Sequence, residues 1–190
     1  MASFWNFLFG SKGSNDKKED DKKNEEKASS VKNDNPFMSM LSMMDNYEEE
    51  LFNSHKKAAD EGDAEAQFQT GVCYEQGTGV EKDYAQARMY YAMASMQGHA
   101  FATHNLGVLY YFGYGGEQDF DRAFSDFSSA AATGDSLALA SLSVCYELGR
   151  GVEKDADKAD EMMKKALAQP NAMPGALSIL ASNMRNVAVK

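Results

Sequence analysis

Three stretches of the chain align column on column at a spacing of 36 residues. They begin at Glu61, Gln97 and Thr133, and they agree in kind as well as in length. Gly62, Gly98 and Gly134 share a column, as do Tyr74, Tyr110 and Tyr146. So do Gly77, Gly113 and Gly149, then Asp83, Asp119 and Asp155, then Ala87, Ala123 and Ala159. A period of this size is the mark of supersecondary units that stack, because one unit alone cannot bury its apolar face. Stacked units of this kind offer an extended surface, so the pattern points to binding before catalysis.

Each copy reads as two helices. Gly62, Gly98 and Gly134 sit where one helix stops, at the position that favours left-handed backbone. Asp63, His99 and Asp135 follow as N-caps of the first helix. Its apolar stripe runs Ala66–Thr70–Tyr74, Ala102–Leu106–Tyr110 and Ala138–Leu142–Tyr146. Small residues at Gly71, Gly107 and Ser143 let a neighbouring helix approach. A glycine pair ends this helix, and Asp83, Asp119 and Asp155 cap the second. That helix is expected to bury Ala87, Tyr91 and Ala94, then Ala123, Phe127 and Ala130, then Ala159, Met163 and Ala166.

The segments before and after follow from the same register. Residues 1–35 divide into an apolar peptide and a charged, low-complexity linker from about Ser11, which has nothing to bury and is expected to be disordered. Asn35-Pro36 reads as an N-cap with proline in the first turn. Behind it, Phe37, Met40, Leu41, Met44, Tyr47, Leu51, His55 and Ala58 form one helical face. Residues 36–59 are therefore expected to be a capping helix in the slot of a second helix, its Met-rich run M-S-M-L-S-M-M read as core. Repeats are assigned to 60–95, 96–131 and 132–168. Residues 169–190 hold a C-terminal capping helix over roughly Pro174 to Asn186, where Pro170 replaces the turn glycine. The architecture expected is all-α.

Composition narrows the function. The formal net charge is −10. Between Ala58 and Gln169 there are 18 Asp and Glu against 8 Lys and Arg. A surface this acidic is unsuited to nucleic acid, where binding rests on cationic neutralisation of phosphate. Cys73 and Cys145 lie two periods apart, too far for a bridge within one stack; both read as small core residues. Free thiols without a framework fit a cytoplasmic protein. No apolar run is long enough to span a bilayer, and the N-terminal lysines follow the apolar stretch rather than precede it, the wrong order for a secretory signal. Phe4, Trp5, Phe7, Leu8 and Phe9 are not needed by the repeats and are expected to form a docking element, on a protein groove in preference to a lipid interface.

No chemistry-bearing motif stands out. His55, His99 and His104 lack metal-ligand spacing, and there is no C-x-x-C. The G-T-G and G-R-G pairs follow a helix and lack the Lys-Ser/Thr of a phosphate loop. The reading is a non-enzyme without metal or cofactor.

The pattern A-x-x-x-L-G-x-x-Y-x-x-G-x-G-V-x-x-D-x-x-x-A resembles the Sel-one-like repeat family, a relative of the tetratricopeptide repeat. The match covers about Ala58 to Leu167, with Thr70, Gly116 and Ser143 as departures. The resemblance implies a right-handed α/α superhelix with capping helices, serving as an adaptor or scaffold, and first helices on the inner, concave face. Residues flanking the stripe are then the candidate partner site. They are Glu65, Phe68, Val72 and Glu75; Phe101, His104, Val108 and Tyr111; and Leu137, Ala140, Val144 and Glu147. An apolar floor with acidic ends fits a peptide or helix carrying apolar anchors and some Lys or Arg. Two alternatives accompany this reading. One is a weak β-lactam-type hydrolase, which relatives suggest. The other is a membrane-peripheral adaptor held by the aromatic N-terminus.

Overall fold

The computed structural model describes residues 35–170 and 172–189. The linker and the aromatic peptide Phe4–Phe9 lie outside the described residues. The chain divides into two compact units between Leu41 and Ser42. In the first, the described residues are the opening turns of a helix whose start is fixed by Asn35, its Oδ1 accepting from the Phe37 amide at 3.0 Å. The second holds the repeats.

Among the described residues the structure is helical, with no strand. The helices are α1 (Pro36–Asp60), α2 (Ala64–Gln76), α3 (Tyr84–Met96), α4 (Ala100–Phe112), α5 (Phe120–Ala131), α6 (Ser136–Leu148), α7 (Ala156–Leu167) and α8 (Pro174–Arg185). Within each repeat the first and second helices pair, α2 with α3, α4 with α5 and α6 with α7; across repeats α3 packs on α4 and α5 on α6. The result is a helix-pair solenoid.

The caps are set by the residues that recur. Asp63 Oδ1 accepts from the Ala66 amide at 2.7 Å, His99 Nδ1 from Ala102 at 3.1 Å and Asp135 Oδ1 from Leu137 at 3.0 Å. Asp83, Asp119 and Asp155 do the same for the second helices. Each such bond satisfies an amide that the helix itself leaves open.

Close packing inside a repeat depends on the small residues of the first helix. A β-carbon on Gly71 would meet the Tyr91 ring at 2.6 Å, and one on Gly107 the Phe127 ring at 2.8 Å. Tyr91 and Phe127 are both fully buried. Between repeats, two contacts recur at the same register. The ring of Phe52 meets Tyr74 edge-on at 5.3 Å, the guanidinium of Arg88 lies 4.0 Å from the Tyr110 centroid, and Phe124 meets Tyr146 edge-on at 5.5 Å. The second glycine of each turn, Gly79, Gly115 or Gly151, sits against the carbonyl of Glu48, Tyr84 or Phe120. At φ of +67° to +71° these glycines adopt backbone that other residues rarely take,. A side chain there would collide with the neighbouring backbone.

That register corrects the face expected for α1. Phe52 and Ala59 are its buried residues, while Phe37, Met40, Met44, Tyr47 and Leu51 are exposed. His55 and Ala58 are partly covered. In a full repeat, the second helix buries one face on its own first helix and another on the next repeat. No first helix pairs with α1 among the described residues, so its equivalent of the Ala87–Tyr91–Ala94 face stays open. Only the side facing α2 is used. The Met-rich run is a surface, not a core.

The C-terminal helix also departs from the repeat geometry. A fourth first helix would pack on α7 as α4 packs on α3. Instead the main partner of α8 is α6. Leu177 joins Leu139, Ala140 and Ala166 in one buried cluster, and Ala181 and Met184 join Tyr111, Leu142, Val144 and Cys145 in another. Helix α8 thus lies along first helices, reaching from α6 back to α4.

Candidate functional site: the first-helix face

The twelve candidate residues fall into two groups. Those on α2 and the start of α4 form one continuous aromatic surface. The Phe68 ring stacks on the His99 imidazole at 4.6 Å, and Phe101 lies 6.5 Å from Phe68. Phe101 is 56% exposed. Val72 and Val108 are half-buried beside them.

The acidic members are already engaged. Glu65 accepts from Gln69 Nε2 at 2.7 Å and pairs with His99 Nε2 at 3.0 Å. The Gln69 hydrogen bond, and after it His99, hold the Glu65 carboxyl below the usual carboxylate range. Since His99 Nδ1 accepts the capping amide, Nε2 carries the proton and donates to Glu65,. Glu75 accepts from the Tyr91 hydroxyl at 2.5 Å; burial, then the Glu75 charge, push that phenol well above its ordinary range. Glu147 forms an ion pair with Arg185 of α8 at 2.7 Å.

On the other side of the face, the expected exposure is overturned. His104, Tyr111, Ala140 and Val144 are buried, the last three completely. His104 is enclosed by the next repeat: Nε2 lies 3.3 Å from Ser141 Oγ, and the ring packs near Phe127. Burial pushes its pKa down. Tyr111, Ala140 and Val144 share their buried clusters with α8. Leu137 remains half-buried at the margin.

What fastens α8, beside Tyr111, is a pair of residues that the repeat pattern did not mark as functional, Arg150 and Gln118. Arg150 donates through Nη1 to the Met184 carbonyl at 2.8 Å and through Nη2 to the Val187 carbonyl at 2.7 Å. Its Nη1 also donates to the Tyr111 hydroxyl at 2.6 Å, which in turn donates to the Met184 carbonyl at 3.0 Å. Gln118 donates to the Ala188 carbonyl at 3.3 Å. The guanidinium lies 5.0 Å from the Phe120 centroid. These donors meet the Met184 carbonyl in the last turn of α8 and the Val187 and Ala188 carbonyls just beyond it, where the helix dipole favours positive charge,. The signal in the sequence was modest: Arg150 stands in the column of Thr78 and Tyr114, a lone cation at a turn tip of an acidic array.

Between α4 and α8 a cleft of about 470 Å³ remains, lined by Val108, Phe112, Tyr114, Leu180, Asn183, Asn186 and Val187. It is shallow and largely apolar. Cys73 and Cys145 are free and buried, and burial pushes the Cys145 thiol up to about 12. Among the described residues no group of three His, Cys, Asp or Glu is placed to hold a metal ion. None of the described helices is long and apolar enough to cross a membrane.

A stack of capped helix pairs with an aromatic strip on its first helices defines a helix-pair repeat protein. The sequence profile of the Sel1 repeat matches residues 64–99, 100–135 and 136–171, and the chain belongs to that family. Two solved structures are similar. One is c5321, a protective antigen of uropathogenic Escherichia coli strains displaying an SLR fold, at 29% identity and a TM-score of 0.62 over 65% of this chain and 27% of that one. The other is a Sel1 repeat protein from Oxalobacter formigenes, at 34% identity and a TM-score of 0.61 over 65% of this chain and 50% of that one. The chain therefore spans half or less of the length of these neighbours. No curated protein matches the sequence.

Proposed function

We propose that this protein is a protein-binding adaptor whose partner segment lies on the open part of the first-helix face, along α2 and α4. Proteins built of Sel1 repeats mediate protein–protein interaction in general, and the observation that carries the reading here is Phe101. A phenylalanine more than half exposed, backed by Phe68 and His99, is an anchor of the type that dominates interface energetics. Phe68, Val72 and Val108 extend the floor. The acidic rim reduces to Glu65 and Glu75, each with an internal partner, so apolar contact outweighs charge in selecting the partner.

Capture from a lysate of the organism with wild-type, Phe101→Glu and Met89→Glu chains tests this. Met89 is 46% exposed on the second helix α3. Loss of the captured partner with Phe101→Glu and retention with Met89→Glu is the expected result. Equal capture by all three chains overturns it.

A further inference from the structure

The part of the first-helix face that sequence analysis assigned to a partner is occupied by the chain itself. We infer that the surface under α8, built from Tyr111, Leu142, Val144, Cys145 and Arg150, is a receptor for an amphipathic helix, with α8 as its resident occupant and a partner helix of the same chemistry as its exchange ligand. This rests on the reading of the first-helix face as the binding face.

Three observations support it. First, α8 does not continue the stack. It takes α6 as its main partner and extends to α4 through the Tyr111–Met184 bond at 3.0 Å, a position that the 36-residue register does not produce. Secondly, the contact is polarised as a ligand site is. Leu177, Ala181 and Met184, at helical steps of four and three, are each at most 1% exposed, while Ile179 on the opposite side is 64% exposed. Only one stripe of the helix is bound. Thirdly, the C-terminal end is read by a dedicated cation. Arg150 spans the Met184 and Val187 carbonyls and is itself placed by stacking near Phe120 and Tyr111. Main-chain carbonyls carry no sequence identity, so the receptor selects a helix that ends at Arg150 and presents an apolar stripe. The one side-chain pair at this end, Glu147 with Arg185, adds a preference for a cation near that C-terminus.

The attachment of α8 also favours exchange. It begins without a side-chain N-cap bond, so its first amides lack that support,. Met173, just ahead of it, is 66% exposed. A helix that exposes its receptor only when it lifts off imposes a penalty on any competitor, in inverse proportion to the open fraction.

The test uses the full chain and a fluorescent peptide copying residues 173–189. Wild-type protein is expected to bind the peptide weakly, and Met184→Asp, which loosens the resident helix, to bind it about tenfold or more tightly. Arg150→Ala added to Met184→Asp is expected to remove that gain, whereas Phe101→Glu added instead leaves it, which separates this site from the open strip. Native hydrogen exchange of wild type accompanies it: amides of Leu180 to Met184 are expected to exchange well ahead of those of Leu142 to Cys145, as a locally opening unit does. Peptide binding unchanged by Met184→Asp overturns the inference. If that variant does not fold, exchange decides: α8 opening only together with α6 overturns it, and earlier opening of α8 upholds it.

Discussion

The first helices of the two halves of this repeat array present the same columns and different surfaces. On α2 and the start of α4 the inner positions Phe68 and Phe101 stay accessible beside the Glu65–His99 pair. On α6 and the end of α4, Tyr111, Ala140 and Val144 are sealed, Ala140 in the column of Phe68, while Leu137 in the column of Phe101 stays half-buried. The residue types do not explain the contrast, since Val72, Val108 and Val144 share a column. The neighbour does: α8 lies on one half and not on the other. A repeat register specifies which face a side chain occupies, and the ends of the array specify whether that face is free.

The contrast breaks most severely where α8 is anchored through a large buried ring. Tyr111→Ala removes a fully buried phenol and the bond to Met184; a loss of about 3–5 kcal/mol in chemical unfolding is expected, by analogy with other buried aromatic truncations. Gly151→Ala ranks close behind. It forces a side chain at φ +70° against the Phe120 carbonyl, and a loss of about 2–4 kcal/mol is expected in the same assay. If either variant unfolds at the wild-type midpoint, the packing described at that half is wrong.

Arg150→Ala sharpens the comparison, because it spares the apolar core. It removes charged donors from two carbonyls, and a loss of about 1.5–3 kcal/mol is expected, with exchange accelerated in α8 before α2. By contrast, Phe101→Ala on the open half is expected to change stability by no more than about 0.5 kcal/mol. A large thermal destabilisation there would mean that Phe101 is core.

Asp126 provides a control away from this face. Burial pushes its carboxyl up to about 6, from 3.8, and its Oδ2 has no hydrogen-bond partner. The folded state holds the proton more tightly than the unfolded state, so this group destabilises the fold increasingly as pH rises through about 4 to 6 and leaves stability unaffected below that window. Asp126→Asn is therefore expected to raise stability at pH 7 by on the order of 1 kcal/mol, after allowing for solvent screening of a partly exposed site, and to give no gain at pH 4. Melting curves at the two pH values check the sign.

Much of the fold was legible because its determinants are local. Gly62, Asp63, Gly77 and Asp83 each fix a cap by their own chemistry, and the columns repeat them. The paired glycines and tyrosines then fix how one repeat meets the next. The candidate site was less legible. That Tyr111 and Val144 point along the first-helix face follows from periodicity, but their burial depends on α8, whose path departs from the register. Helix α1 shows the same limit: Leu51 and Tyr47 belong to an apolar stripe, and no first helix pairs with it among the described residues. Arg150 escaped notice because its role requires a partner 34 residues further along the chain, at Met184.

The most direct test of the account is a side-chain oxidation footprint of the full chain with and without its captured partner. Protection of Phe68 and Phe101, with Met89 and Met96 on α3 unchanged, is the result expected for a partner seated on the open first-helix strip. Protection confined to Met89 and Met96, with Phe101 oxidised at the same rate in both states, would contradict it.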